Sequence, residues 1–204
     1  GSNNSYLSML RIPALAAKAG VKLELKPFLL GPIFKSLGWS TSPFVLQPLK
    51  GGYVWNDMRR QSVKFGLRWQ RPSVFPRNSL LPARVALHAK HAPWLQAFCE
   101  QVMLANFADD RDISDETVIA EILAVLGVDS SEMIRAAKSE ESKAQLRART
   151  DEAVALGIFG APMFLVGGEM FWGNDRLEDA LAYAQGLTVD KAFNAFADVG
   201  RRTA

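Results

Sequence analysis

Cysteine is nearly absent: Cys99 stands alone in 204 residues, and there are only two histidines, His88 and His91. One cysteine excludes an internal disulfide, a Cys-x-x-Cys redox pair and a metal site built from several thiolates. It fits a reducing compartment, most simply the cytoplasm. The two histidines lie close together without further ligands at a metal-binding spacing, and they read as surface residues of a helix. No apolar run approaches the roughly 18–20 residues that span a bilayer, and no signal-like segment opens the chain, so no membrane partner is expected. Charge of one sign is also missing. Lys and Arg number 24 against 21 Asp and Glu, a net charge of +3. The bases are interspersed with acids, and no basic stripe alternates with aromatics, which argues against a nucleic-acid partner.

What is present is a chain 49% hydrophobic, enough for one domain or one domain with a large insertion. Its densest stretch is Gly157–Asp179, GIFGAPMFLVGGEMFWGNDRLED. Gly157 and Gly160 bracket Ile158-Phe159, and Ala161-Pro162 follows, so the chain turns sharply before Met163–Val166 runs out as an apolar strand. Gly167-Gly168 tolerates positive φ at both positions and leads into Glu169–Trp172, a hairpin pattern. Asn174 or Asp175 then suits the cap of a helix running through Tyr183, whose free N–H groups would welcome an anion.

Upstream, Leu7–Ala19 has helical spacing and ends at Gly20, with Pro13 expected to kink or split it. Val21–Phe28, VKLELKPF, alternates like a half-buried strand. Residues 29–50 form a Gly/Pro/Ser-rich loop with a short helical turn near Ile33–Leu37, and Gly52–Gly66 reads as helix. From residue 81 to residue 150 the pattern is helical nearly throughout. Breaks fall at Pro93 and Gly127, and Ser114 or Asp115 and then Ser130 stand at helix starts. Trp94, Phe98 and Phe107 read as core, and Cys99 as a small buried hydrophobe rather than a nucleophile. A last amphipathic piece, Val189–Val199, suits either a core cap or a subunit contact.

The GIFGAP…LVGGEMFWGNDRL pattern, together with Phe75-Pro76-Arg77-Asn78-Ser79, resembles the family of 2-hydroxychromene-2-carboxylate isomerases and kappa-class glutathione transferases. The resemblance covers nearly the whole chain. It implies an α/β, thioredoxin-like fold with a large all-helical, DsbA-like insertion: residues 1–45 and 151–204 the thioredoxin-like part, residues 46–150 the insertion. It also implies that Pro162 is cis and lies beside bound glutathione. Family members begin with a strand ending in a pattern like S-P-x-S-Y-L. Here the first strand is expected to be absent, and Ser2 falls on the catalytic serine. Asn3 stands where the family has proline, and Ser5-Tyr6-Leu7 match.

By the same resemblance, glutathione would touch Trp39, Pro48, Lys50, Ala161, Pro162, Asn174 and Asp175. Ala161 would pair with its cysteinyl backbone, and Asn174 and Asp175 would hold its γ-glutamyl end. Asn4 and Asn78 would face an aromatic carboxylate substrate, although Asn78 is equally suited to capping a helix. A cofactor that brings its own thiol needs no catalytic cysteine. A serine hydroxyl at a helix start can donate to that thiolate, a bond of about 1.5–3 kcal/mol. The implied activity is a glutathione-dependent isomerase. The alternatives are a kappa-type transferase and a non-catalytic glutathione-binding protein, and the assembly expected by resemblance is a homodimer.

Overall fold

The computed structural model describes residues 1–187; Val189–Val199 lies outside the described residues. Helix α1 runs Asn3–Ala19, beginning earlier than the apolar spacing predicts and passing through Pro13 unbroken. Proline removes one backbone hydrogen bond from the helix, and burial on two faces offsets that loss. Tyr6 and Leu7 pack with Trp55, Met58 and Phe107. Ile12 and Ala16, on the roughly opposite side at about 100° per residue, pack with Leu177 and Leu181. At the C-terminal end the Gly20 N–H bonds the Ala17 carbonyl at 3.2 Å and the Val21 N–H reaches the Ala16 carbonyl at 2.9 Å, the two bonds of a Schellman cap.

The strand expected over Val21–Phe28 does not form. Its side chains do alternate: Lys22, Glu24 and Lys26 are exposed, while Val21, Leu23 and Leu25 are half-buried. Alternation reports only which side faces the core, whereas a strand needs a neighbouring backbone. Among the described residues the sheet has two strands, and neither is this segment.

Helix α2 (Leu30–Ser36) and the short α3 (Pro43–Leu46) lead into α4 (Pro48–Lys64). Gly51 lets α4 start against α3, because a Cβ there would lie 2.2 Å from the Phe44 carbonyl oxygen. The insertion continues with α5 (Leu80–His88), α6 (Leu95–Phe107), α7 (Glu116–Val125), α8 (Ser130–Ala137) and α9 (Glu140–Ala155). Asp115 caps α7 through the Thr117 N–H. Asp129, rather than Ser130, caps α8 through the Glu132 N–H. Phe98, Ile119 and Leu123 form the centre of its core, joined by Val85 and Ile113. Phe107 is fully buried, whereas Trp94 is half-buried.

The chain then returns through β1 (Met163–Val166) and β2 (Glu169–Trp172), antiparallel with Met163 opposite Trp172 and Val166 opposite Glu169. Gly167 and Gly168 have φ of 55° and 92°, the positive values the hairpin requires. A 3-10 turn over Asn174–Arg176 precedes α10 (Leu177–Ala184). Neither Asn174 nor Asp175 caps α10, because the turn intervenes and the Asn174 side chain is drawn toward α1 instead. Among the described residues no helix is long and apolar enough to cross a membrane.

Phe98 is 1% exposed at the centre of the insertion core. Phe98→Ala is expected to destabilise the protein by about 3–5 kcal/mol, read as a lower urea midpoint with an unchanged m-value.

Candidate functional site

The side chain of Ser2 ties the beginning of α1 to the loop before β1. Its Oγ accepts from the Ser5 N–H at 3.3 Å, as an N-cap does, and donates to the Ala161 carbonyl at 3.1 Å. The Ala161-Pro162 bond is cis; so is Phe75-Pro76. Beyond the proline, the Pro162 carbonyl accepts from the Gly173 N–H at 3.0 Å, while the Ala161 N–H has no acceptor among the described residues. Gly160 shapes this loop. A Cβ there would fall 2.4 Å from Trp172 Nε1, so only glycine lets the indole lie against the backbone. Trp172 in turn meets the Phe159 ring edge-on, with centroids 5.1 Å apart.

Beside Ser2 opens a cleft of about 1340 Å³, bordered on one side by residues 21–30 and on another by β1. Of the residues singled out in the sequence, it brings together Ser2, Asn4, Trp39, Lys50, Asn78, Ala161 and Pro162. Trp39 sits 5.6 Å from the Phe34 ring centroid, and Lys50 is exposed on the first turn of α4. Asn78 accepts from the Leu80 N–H at 2.9 Å, so it serves the start of α5 while also bordering the cleft.

Pro48, Asn174 and Asp175 lie outside the lining. Pro48 is the first residue of α4 and is exposed. The Asn174 Oδ1 accepts from Ser8 Oγ at 3.2 Å and from Arg11 Nη1 at 2.7 Å. Arg11 also pairs with Glu178, and its guanidinium stacks 3.6 Å over the Phe65 ring. Asp175 is exposed, its Oδ2 lying 3.4 Å from Arg176. Ser8 and Arg11 share one helix face, but the asparagine they hold is 163 residues beyond Arg11, so no local pattern could announce it.

Sequence reasoning also missed the guanidinium that sets the floor beside Asn78. Arg77 is buried, donating to the Asn106 Oδ1 at 3.0 Å, the Asp110 carbonyl at 3.0 Å and Ser73 Oγ at 3.2 Å, and pairing with the Asp110 carboxylate. It pins the turn through Pro76 to the end of α6. The Ser73 N–H and then the Arg77 guanidinium favour the charged form of Asp110 and hold its carboxyl below the ordinary value. Cys99 borders the cleft, but burial pushes its thiol up to about 12, so it stays protonated and un-nucleophilic at neutral pH.

The family model of the DSBA-like thioredoxin domain matches residues 2–185. The chain belongs to that family. Among relatives of this DSBA-like domain, a 2-hydroxychromene-2-carboxylate isomerase of Sphingobium xenophagum is 26% identical over 182 residues, 88% of this chain and 91% of that one. A glutathione S-transferase kappa 2 of Caenorhabditis elegans is 26% identical over 169 residues, 76% of this chain and 75% of its own. A solved structure of a 2-hydroxychromene-2-carboxylate isomerase superposes with a TM-score of 0.81 at 21% identity, covering 100% of this chain and 95% of its own, which shows the fold. Among the described residues the DSBA-like architecture is helix-rich with a two-stranded sheet, and its helix α1 and cis-proline loop converge at Ser2.

Two outcomes follow for this DSBA-like domain. Gly160→Ala is expected to displace Trp172, costing about 1–3 kcal/mol and shifting tryptophan emission. For Asp110, a folded value below the unfolded one contributes stability above about pH 4 that is lost as pH falls through the folded value. Asp110→Asn should therefore flatten part of the acid limb of the stability curve, followed by circular dichroism in urea at stepped pH.

Proposed function

We propose that the protein is a glutathione-dependent isomerase of an aromatic 2-hydroxy acid derivative, of the type that interconverts 2-hydroxychromene-2-carboxylate and its ring-opened benzylidenepyruvate. The observation that carries this reading is the Ser2 hydroxyl, held at the start of α1 and bonded to the carbonyl beside cis-Pro162. Two relatives named for that isomerase support the substrate class. The donor set around Ser2 suits a thiol peptide with anionic ends: a hydroxyl, the Ala161 N–H without an acceptor and the Lys50 ammonium along one cleft.

Bound glutathione would supply the thiolate that adds to a conjugated carbon, letting the bond rotate, and then leaves. What the chain contributes is the stability of that anion. The Ser2 hydroxyl rotates from the Ala161 carbonyl to the sulfur, exchanging a neutral acceptor for a charged one. The exchange is worth about 0.5–2 kcal/mol, or roughly one unit of thiol pKa at about 1.36 kcal/mol per unit. The positive end of the α1 dipole acts in the same direction. The Ala161 N–H would pair with the cysteinyl carbonyl in strand fashion, and Lys50 would meet a terminal carboxylate. A kappa-type transferase, the reading favoured by the Caenorhabditis elegans relative, would use the same residues on an electrophile that keeps the sulfur.

Titration calorimetry with glutathione, combined with the ultraviolet absorbance of the bound thiolate against pH, tests this. The native chain should bind the peptide and lower its thiol from about 8.5 by roughly one unit, and Ser2→Ala should return it. No heat of binding, or the same thiol pKa in both proteins, would overturn the reading. Recovery of glutathione unconsumed after turnover separates isomerase from transferase.

A further inference from the structure

We propose that a small cavity next to Asn78 is an oxyanion site, in which the Arg84 guanidinium and the Lys138 ammonium hold a phosphate or carboxylate group. The proposal does not depend on the glutathione reading, because neither cation belongs to the residues assigned there.

The cavity is about 160 Å³, several times the roughly 30 Å³ that a water occupies in the liquid. It lies between the first residues of α5, Ser114 and Glu116 at the start of α7, and Lys138 just after α8. Asn78 and Leu80 border both this cavity and the large cleft, whereas Arg84 and Lys138 border the cavity alone.

Arg84 sets the sign of the ligand. It is half-buried, and its Nε is sealed from water without a hydrogen-bond partner. A guanidinium stays charged at any ordinary pH, and a charge withdrawn from water calls for a partner. Among the described residues no carboxylate forms an ion pair with Arg84, because the acids of the neighbourhood are already claimed. Glu116, in the cavity wall, pairs with Lys138, and Glu140 pairs with Lys143. Lys143 first, and Arg84 after it, hold the Glu140 carboxyl below its ordinary value, so Arg84 acts on Glu140 without bonding it. Asp112 accepts from both the N–H and the hydroxyl of Ser114, so that serine brings the cavity a lone pair and no donor. Along the lining two cations therefore face one carboxylate, and the surplus is the positive charge of Arg84.

Asn78 adds a neutral donor. Its oxygen accepts from the Leu80 N–H at 2.9 Å, which leaves its NH2 group for a ligand. A planar fork, a point charge and an amide around one small space are the donors that recognise an oxyanion. Leu80 and Leu81 supply apolar lining, which weakens the screening between the cations and an anion held there. The anion competes with Glu116 for Lys138.

Inorganic phosphate is the probe, with sodium chloride at matched ionic strength as the reference and the melting temperature of the whole chain as the readout. Phosphate should raise the native melting temperature saturably beyond chloride, by about 3–6 °C at ten times its dissociation constant. Arg84→Gln should weaken phosphate about tenfold or more, and Arg84→Lys, which keeps the charge and loses the fork, by less. Glu116→Gln removes the competing carboxylate and should tighten phosphate about fivefold, a gain that a purely structural Arg84 would not produce. Acetate run beside phosphate separates the two sources of oxyanion: the site belongs to whichever ion loses more affinity in Arg84→Gln. A rise that does not saturate, or that chloride reproduces, would overturn the proposal. So would equal phosphate affinity in the native chain, Arg84→Gln and Glu116→Gln. Affinity lost in Lys50→Gln and kept in Arg84→Gln would put the ion in the large cleft and overturn it as well. If Arg84→Gln does not fold, Arg84→Lys and Glu116→Gln decide the matter in the same way. Glutathione takes part in none of these measurements, so failure here leaves the glutathione reading to its own test.

Discussion

Burial of α1 on two sides is the constraint on which the rest of the structure depends. A single helix supplies Tyr6 and Leu7 to the core it shares with α4 and α6, and Ile12 and Ala16 to the core it shares with α10. The start of α1 is therefore set in space by packing on both sides. The Ser2 cap completes this arrangement, since one oxygen satisfies a free N–H of the helix and reaches the carbonyl beside the cis-proline. The position of the Ser2 hydroxyl thus follows from the packing of α1.

Around that point the polar groups divide into two kinds. The guanidinium groups that hold the frame find their acceptors within the protein: Arg77 on Asn106, Ser73 and Asp110, and Arg11 on Asn174 and Glu178. In each case a guanidinium largely withdrawn from water spends several donors, most of them on partners far along the chain, and leaving any one unmet would cost more than the contact itself contributes. Those that border the cleft are under-used. The Ala161 N–H and the Asn3 amide have no partner among the described residues. Free donors at a cleft suit a polar ligand, because they must be available when the ligand arrives.

Much of the fold was legible because its signals are local. The hairpin follows from Gly167-Gly168 between two apolar runs, the end of α1 from Gly20, and the start of α7 from an acidic residue before an apolar helix. Where local signals failed, a distant group had intervened. Pro13 should have broken α1, but burial on two faces outweighs one lost hydrogen bond. Val21–Phe28 alternates as a strand does, yet among the described residues it joins no ladder. Asn174 has the composition of a cap, but Ser8 and Arg11 claim its oxygen.

By itself the sequence determined which chemistry is available. With one cysteine no internal disulfide and no Cys-x-x-Cys pair can form, and the motifs around Ser2 and Pro162 carry the resemblance to the family. Only the tertiary structure decided which of those residues meet. It gathered Ser2, Asn4, Trp39, Lys50, Asn78, Ala161 and Pro162 along one cleft, left Pro48, Asn174 and Asp175 outside its lining, and set the Asn3 amide beside Ser2 without a partner. The reason is physical: composition and spacing fix what a side chain can donate or accept, whereas its neighbours are chosen by the packing of helices far apart in the chain.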